Sequence, residues 1–354
     1  MTTTTRSTTL DERIVESATG ALEMFSIHLG RTLGLYDALI EPRTVAALAA
    51  HSGIAERYAR EWLEQQAVAG LVGVDAGDEP WDRRRYSLSP EQRAVLVDAD
   101  DPSHVSPLAD MLAGVGHALP EVAAAYRSGG GVPYSHYGKA FRDGQGGINR
   151  PALINELASE WLADVPETVA RLRDGGRVAD LGCGTGWSTI ALAKAFPRSE
   201  IVGFDLDDAS IEDARTNAAA LGVNVRFESA DAAAIGHHGR FDLVLIVETL
   251  HDLAAPIDAL RAARTALNPG GVVLIADEKV AAGFIAPGDE LERMMYGWSV
   301  THCLPASKAE ADSAAIGTVL RPGLLELMAA EAGFRSVSLS DVDGGFFNLY
   351  ILQS

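Results

Sequence analysis

The sequence predicts an α/β protein in which a mostly parallel sheet, wound with helices, follows a helical N-terminal half. Three observations carry this. From about residue 175, short apolar strands alternate with helical stretches. A glycine-rich turn, VADLGCGTGWST (178–189), joins the first of these strands to the first of these helices. Before about residue 127, apolar residues recur mainly at helical spacing.

Composition sets the bounds. At 354 residues and 47% hydrophobic content the chain can build two domains, each with its own core. The opening MTTTTRSTTLDER is polar and unlike a secretory signal, and no later stretch offers the roughly 20 apolar residues a bilayer span needs, so a cytoplasmic location is expected. Cys183 and Cys303 are the only cysteines; two cannot build a disulfide framework or a four-cysteine zinc site, and both are read as free thiols. The formal net charge of −20 repels phosphate backbones, which argues against nucleic acid as a partner and suits a small neutral or cationic ligand.

The elements follow in order. Ile14, Ala18, Ala21, Leu22, Phe25, Leu29 and Leu33 form an apolar stripe along one helix from Leu10 to Ile40, stopped by Glu41-Pro42. Such a stripe needs a partner surface, and a second subunit supplies one. TVAALAAHSGIAERYAREWLEQQAVAGLVGVD reads as helix, turn at Ser52-Gly53, helix and strand, and RRRYSLS as the returning strand: a winged helix-turn-helix. Charge weighs against DNA. The second helix sets Arg57 and Arg60 against Glu56, Glu61 and Glu64, and residues 1–150 hold 14 Lys and Arg against 20 Asp and Glu. Only Arg83, Arg84 and Arg85 on the wing cluster basic charge. The unit is expected to be a dimerisation domain spanning 1–127, with a ligand-sensing transcription regulator as the rival reading.

From Ser128 to Pro151 the glycine- and proline-rich SGGGVPYSHYGKAFRDGQGGINRP is expected to be an irregular loop, either lid or linker, followed by a helix from about Ala152 to Leu172. Its Tyr134 and Tyr137 are candidate substrate contacts. This connecting region runs over 128–174, and the third domain over 175–354.

In that last domain GGRVADLG is a strand and TGWSTIALAKAF a helix, so Gly182, Gly184 and Gly186 sit at a strand-to-helix turn. Their G-x-G-x-G spacing departs from the G-x-G-x-x-G that cradles a dinucleotide pyrophosphate, which disfavours an NAD-linked oxidoreductase. EIVGFDL ends in Asp205, about twenty residues on, where a carboxylate can grip a ribose diol. VNVRFESAD ends in Asp231; RFDLVLIVETLHD, LNPGGVVLIADE and the pair SVSLSDV and FFNLYILQ complete the strands.

DLGCGTG, Asp205, Asp231 and the LNPGG turn resemble those of the class I S-adenosylmethionine-dependent methyltransferases, from about residue 175 to the end. With the winged helix in front, the whole chain is similar to two-domain plant and bacterial O-methyltransferases and to a group of uncharacterised actinobacterial proteins. The resemblance implies a Rossmann-like class I methyltransferase sheet with a mostly helical winged-helix domain before it, a homodimer, a small aromatic or apolar substrate and S-adenosyl-L-methionine as cofactor. It implies cofactor contacts from Asp180, Gly182, Gly184, Gly186, Asp205, Leu206, Asp231, Ala232 and Glu248, with Asp205 on the ribose hydroxyls and Asp231 facing the adenine amino group. His251 in VETLHDL matches the family's general base, and Glu278 in LIADEK the glutamate that orients it. The family's second flanking glutamate is absent near GTVLRP, where Thr318 and Arg321 stand. Asp252, Tyr296 and His302 complete the substrate candidates. No metal is expected for O-methylation; N-methylation is an alternative, as is a metal-assisted C-methyltransferase with His251, Asp252, Glu278 and His302 as its ligand set.

Overall fold

A computed structural model describes residues 9–75 and 78–354. The chain divides into two compact units, Met1–Ala113 and Gly114–Ser354.

In the first unit, Thr9 opens α1 (Leu10–Thr32) with a capping box to Glu12. The single helix expected as far as Ile40 breaks at Gly34, whose φ of +64° ends α1 and starts the short α2 (Leu35–Ala38). Glycine reaches that left-handed conformation without the Cβ penalty other residues pay, and the break folds Leu35, Tyr36 and Leu39 into the core. Next come α3 (Val45–Ser52), capped by Thr44 and ended by Gly53, and α4 (Glu56–Val68). Strands β1 (Gly73–Asp75) and β2 (Arg85–Ser87) pair antiparallel as the wing, and α5 (Pro90–Leu96) follows. Buried Tyr36 donates a hydrogen bond of 2.5 Å to Gln66, which settles both polar groups inside an otherwise apolar core. The arginines of the second helix and wing are largely spent: Arg57 pairs with Glu61, while Arg60 and Arg84 both reach Glu64. Helix α6 (Leu108–Ser128) contains the division between the units.

The second unit departs from expectation just where its glycines cluster. Residues 128–151 are not an irregular loop: a 3₁₀ turn, Tyr134–Tyr137, leads into α7 (Gly138–Asn155). Nor does one helix run from Ala152 to Leu172; a π turn (Leu157–Trp161) and α8 (Pro166–Arg173) follow. The remainder alternates as the pattern requires: β3 (Arg177–Leu181), α9 (Trp187–Ala195), β4 (Glu200–Asp205), α10 (Asp208–Ala220), β5 (Arg226–Ser229), β6 (Phe241–Val247), α11 (Pro256–Thr265) and β7 (Leu267–Glu278). Then come α12 (Glu290–Trp298), α13 (Leu304–Ser307), α14 (Pro322–Glu331), β8 (Ser336–Leu339) and β9 (Phe347–Gln353).

The seven strands lie in the order β5-β4-β3-β6-β7-β9-β8, all parallel save β9, which runs antiparallel to both neighbours. Central strands are buried on both faces, as their unbroken apolar runs require, with one core cluster around Trp161, Leu245 and Leu274 and another around Phe241, Ile246 and Ile275. Strand order reverses between β3 and β6, so the crevice above their C-terminal ends is where such a sheet takes a ligand. Among the described residues no helix is long and apolar enough to cross a membrane.

Candidate active site

A cavity of about 520 Å³ opens in that crevice, lined by the ends of β3, β4, β5 and β6, by α7 and by the segment around Ala306–Glu310. Its floor is the glycine turn. Gly182 (φ +70°) and Gly184 (φ +51°) line it, and a Cβ on Gly182 would lie 2.2 Å from Thr249 Cγ2. Gly186 serves another purpose. It caps α9 at φ +86°, and a Cβ there would meet Ala214 and Phe227 at 2.8 Å, so this glycine permits helix packing and is not part of the cavity lining. Asp180 likewise lies beneath the cavity: its carboxylate accepts from Ser188 (2.6 Å) and Thr189 (2.5 Å), tying β3 to the first turn of α9, and burial raises its pKa to about 6.

Asp205 stands at the tip of β4, accepting the Gly184 amide at 2.8 Å and the Asp207 amide at 2.9 Å. Each oxygen keeps a second lone pair for a hydroxyl. Leu206 projects beside it with its side chain exposed, and Asp231 and Ala232 close this end, Asp231 also capping a 3₁₀ turn through Ala233. Glu248 follows β6 in left-handed backbone (φ +50°), a strained conformation for a non-glycine residue. Its amide bonds to Ala276 O at 2.8 Å, and its carboxylate accepts the Asn149 side-chain amide from α7. Burial raises the Glu248 pKa to about 6 against that hydrogen bond.

Helix α7 supplies contacts the sequence did not reveal. Asn149, Gln145, Arg142 and Gly146 line the cavity, with Arg142 bonded to Asp213 at 2.7 Å and Tyr134 donating to Gln145 at 3.0 Å. A Cβ on Gly146 would sit 2.1 Å from Thr185 Oγ1, so the helix rests directly on the glycine turn. Trp187 also lines the cavity, with the Arg150 guanidinium 4.0 Å from its ring centroid.

At the far end, the short 3₁₀ turn Leu250–Asp252 after β6 places His251 and Asp252. His251 is 1% exposed, and its Nδ1 lies 3.0 Å from Asp277 Oδ1 and 3.1 Å from Glu278 Oε2. Asp277 is therefore the second acidic partner that no residue near GTVLRP provides. A strand sends neighbouring side chains to opposite faces, so a sequence pattern assigns only one of the two to the histidine; here both carboxylates reach it from the end of β7. Burial works against the imidazole's charge, but Glu278, Asp277 and Asp252 outweigh it and hold its pKa well above the ordinary value. Asp252 is 24% exposed and lines the cavity, whereas His251 and Glu278 do not.

Three expected substrate contacts lie elsewhere. Tyr137 is buried and donates to Thr301 O at 3.0 Å. His302 stacks on Phe141 at 3.9 Å with Tyr134 and Tyr137 against its edges, and burial lowers its pKa to about 3, leaving it neutral. Tyr296 accepts from Arg321, itself paired with Glu292 at 2.8 Å, and is half-exposed away from the lining. Of Tyr134, Tyr137, Tyr296 and His302, only Tyr134 reaches the cavity. His302 also stands outside both groups of ligand-type atoms that come within 4.8 Å of one another among the described residues: His251, Asp252 and Cys303, and His251, Asp277 and Glu278.

Comparison with known proteins agrees with this layout. Residues 172–316 match the model of a methyltransferase domain, and residues 20–98 that of the Rv2258c-like winged helix-turn-helix domain. The ubiquinone biosynthesis O-methyltransferase of Bordetella avium is 30% identical over 125 residues, covering 35% of this chain and 49% of that protein. The ubiquinone/menaquinone biosynthesis C-methyltransferase of Ectopseudomonas mendocina is 30% identical over 192 residues, covering 51% of this chain and 73% of that protein. The chain spans about half the length of the ubiquinone biosynthesis O-methyltransferases it matches. Human N-acetylserotonin methyltransferase, solved in complex with S-adenosylmethionine, shares the fold with a TM-score of 0.65 at 19% identity over 99% of both chains. A doubly wound sheet whose switch point carries bare glycine backbone and an acidic strand tip defines a nucleoside-binding α/β protein. More narrowly, the chain belongs to the class I S-adenosylmethionine-dependent methyltransferases.

The residues present fit that cofactor: Gly182 and Gly184 leave the cavity floor without side chains, a Cβ on Gly184 would project into open space, and each Asp205 oxygen retains a lone pair beyond its amide hydrogen bond. When bound, S-adenosylmethionine supplies a methyl group already activated on a sulfonium sulfur.

Proposed function

We propose that this protein transfers a methyl group to a hydroxyl of a small apolar or aromatic metabolite. The observation that carries the reading is a single cavity with two chemical ends. At one, Gly182 and Gly184 offer backbone free of side chains and Asp205 and Asp231 offer carboxylates; at the other, Asp252 and the buried His251 cluster offer acid–base groups. Gly186 and Asp180 support the first end from below, and Leu206, Ala232 and Glu248, which line the cavity, would help hold the cofactor there. Alignment and exclusion of water do most of the work in such a displacement. A hydroxyl must also lose its proton as the new bond forms, and that task falls to the His251 cluster, with Glu278 and Asp277 holding the imidazole.

The first unit is read as the dimerisation domain. Leu10, Ile14, Leu22, Phe25, Leu29 and Leu33 leave a line of exposed apolar side chains along α1, which a second copy would cover.

Calorimetry with S-adenosylhomocysteine, followed by incubation of metabolite extracts with isotope-labelled methyl donor, tests the assignment. Micromolar binding and label in a hydroxyl-bearing small molecule are expected. Dinucleotide binding in place of adenosyl binding would overturn it.

A further inference from the structure

We propose that Arg321 and Glu292 are positioning residues for the methyl acceptor, closing the neck of a chain excursion that walls the acceptor end of the cavity; the inference rests on the methyl-transfer reading above. After β7 the chain leaves the sheet, and it returns at Arg321, the N-cap of α14. Between these points lie α12, the π turn Ser299–Cys303 and α13. The two ends of this excursion meet. The Ala281 amide donates to Glu292 Oε2 at 2.9 Å, while Arg321 donates through Nη1 to the Ala281 carbonyl at 2.5 Å and through Nη2 to Glu292 Oε1 at 2.8 Å. Three hydrogen bonds thus form a closed ring through Ala281, Glu292 and Arg321. GTVLRP, which supplies no carboxylate to His251, supplies this arginine instead.

The chemistry of the ring favours geometry over stability. The Arg321 and Glu292 side chains are 19% and 7% exposed. An ion pair so far from water adds little net stability, yet removing one partner leaves the other buried and unpaired. A guanidinium holds two acceptors from one rigid planar fork; an ammonium would keep the charge and lose an arm. The ring therefore fixes where the excursion begins and ends.

What the neck positions is the far part of the excursion. Helix α13 packs against the Leu250–Asp252 turn, and just beyond it Ala306, Ala309 and Glu310 line the cavity. The Ala314 amide donates to Ala254 O at 2.8 Å. On the other side the Val132 amide donates to Pro305 O at 2.8 Å, and a Cβ on Gly131 would lie 2.1 Å from the Ala309 nitrogen, so the two backbones touch. His302, on the same excursion, sets its ring edge-on to Tyr134 at the cavity wall. Of the wall beside Asp252, Ala306 and Ala309 thus belong to the excursion. The cofactor end is built from the tips of β3, β4 and β5, outside it. A shift at the neck moves the acceptor wall and leaves the cofactor floor in place.

Hydrogen–deuterium exchange of the full chain, with and without S-adenosylhomocysteine, reads the wall directly. In Arg321→Lys the amides of 301–310 should exchange about tenfold faster than in the unmodified protein, with those of β3 and β4 unchanged. Glu292→Gln, which keeps the shape and loses the charge, should show a smaller change of the same kind. Equal protection of 301–310 in all three proteins, or acceleration spread over the whole sheet, would overturn the proposal. Labelling of a metabolite extract with isotope-labelled S-adenosylmethionine supplies the kinetic split: the extract concentration giving half-maximal rate should rise about tenfold in Arg321→Lys, with KM for S-adenosylmethionine within about twofold. A rise confined to the cofactor's KM would also overturn it. Unchanged S-adenosylhomocysteine affinity by calorimetry shows that each variant is folded. If the unmodified protein labels nothing in the extract, the methyl-transfer reading fails, and the exchange comparison still decides whether the neck holds the wall.

Discussion

His302 shows how a single residue's setting differs from what its type suggests. A histidine near an expected acceptor pocket reads as a substrate contact, yet this one is stacked on Phe141 and kept neutral by burial. The consequence is a pH dependence of known sign. With a folded pKa of about 3, below the ordinary 6.5, the native state binds fewer protons here than the unfolded chain, so this contribution is intact above 6.5 and declines as pH falls toward 3. Asp180, Asp252 and Glu248, each raised to about 6, act in the opposite direction as pH falls, so the comparison must be between variants. Relative to His302→Gln, the unmodified protein should lose roughly 2 to 3 kcal/mol between pH 7 and 4.5 in urea unfolding. Parallel stability curves would place an ordinarily titrating imidazole at this position. Sequence reasoning paired His251 with Glu278 and passed over Asp277, because which carboxylates meet the imidazole depends on how the end of β7 meets the turn after β6.

Among the elements, α7 is the one least legible in the sequence. Gly144, Gly146 and Gly147 weaken a helix by about 1 kcal/mol each relative to alanine, and that local preference favours the loop reading. Packing reverses it: Gly146 lets the backbone settle on Thr185, and Asn149 and Arg142 then find Glu248 and Asp213. Gly146→Ala tests this, since alanine should stabilise an unconstrained helix but collides here at 2.1 Å. Affinity for S-adenosylhomocysteine should fall about tenfold, equivalent to ~1.4 kcal/mol, and Thr185→Ala in the same chain should recover most of it. A more stable Gly146→Ala protein with unchanged affinity would detach α7 from the cofactor site. The strands, by contrast, were readable almost throughout, because buried parallel strands are continuous apolar runs bounded by glycine, aspartate and proline.

For the whole molecule, assembly is the property most open to test. Removing everything before Glu41 would also remove Ile27 and Gly30, which pack against the first unit's own core, so truncation would confuse association with folding. Replacing the exposed Leu22, Phe25 and Leu29 by glutamine leaves that core intact. Sedimentation velocity should then report monomers where the unmodified chain gives dimers, with the helical circular dichroism unchanged. Identical sedimentation of the two proteins would send the dimer contact elsewhere.

The sequence by itself determined the succession of strands from about residue 175, the glycine turn with its acidic neighbour Asp205, and the winged-helix pattern in front, because periodicity and turn chemistry are local and written residue by residue. Only the tertiary structure decided that Gly186 and Asp180 serve packing, that α7 roofs the cavity, and that Asp252 faces the open space while His251 lies behind it among carboxylates. Those outcomes depend on distances between segments far apart in the chain, and no spacing along one segment encodes them.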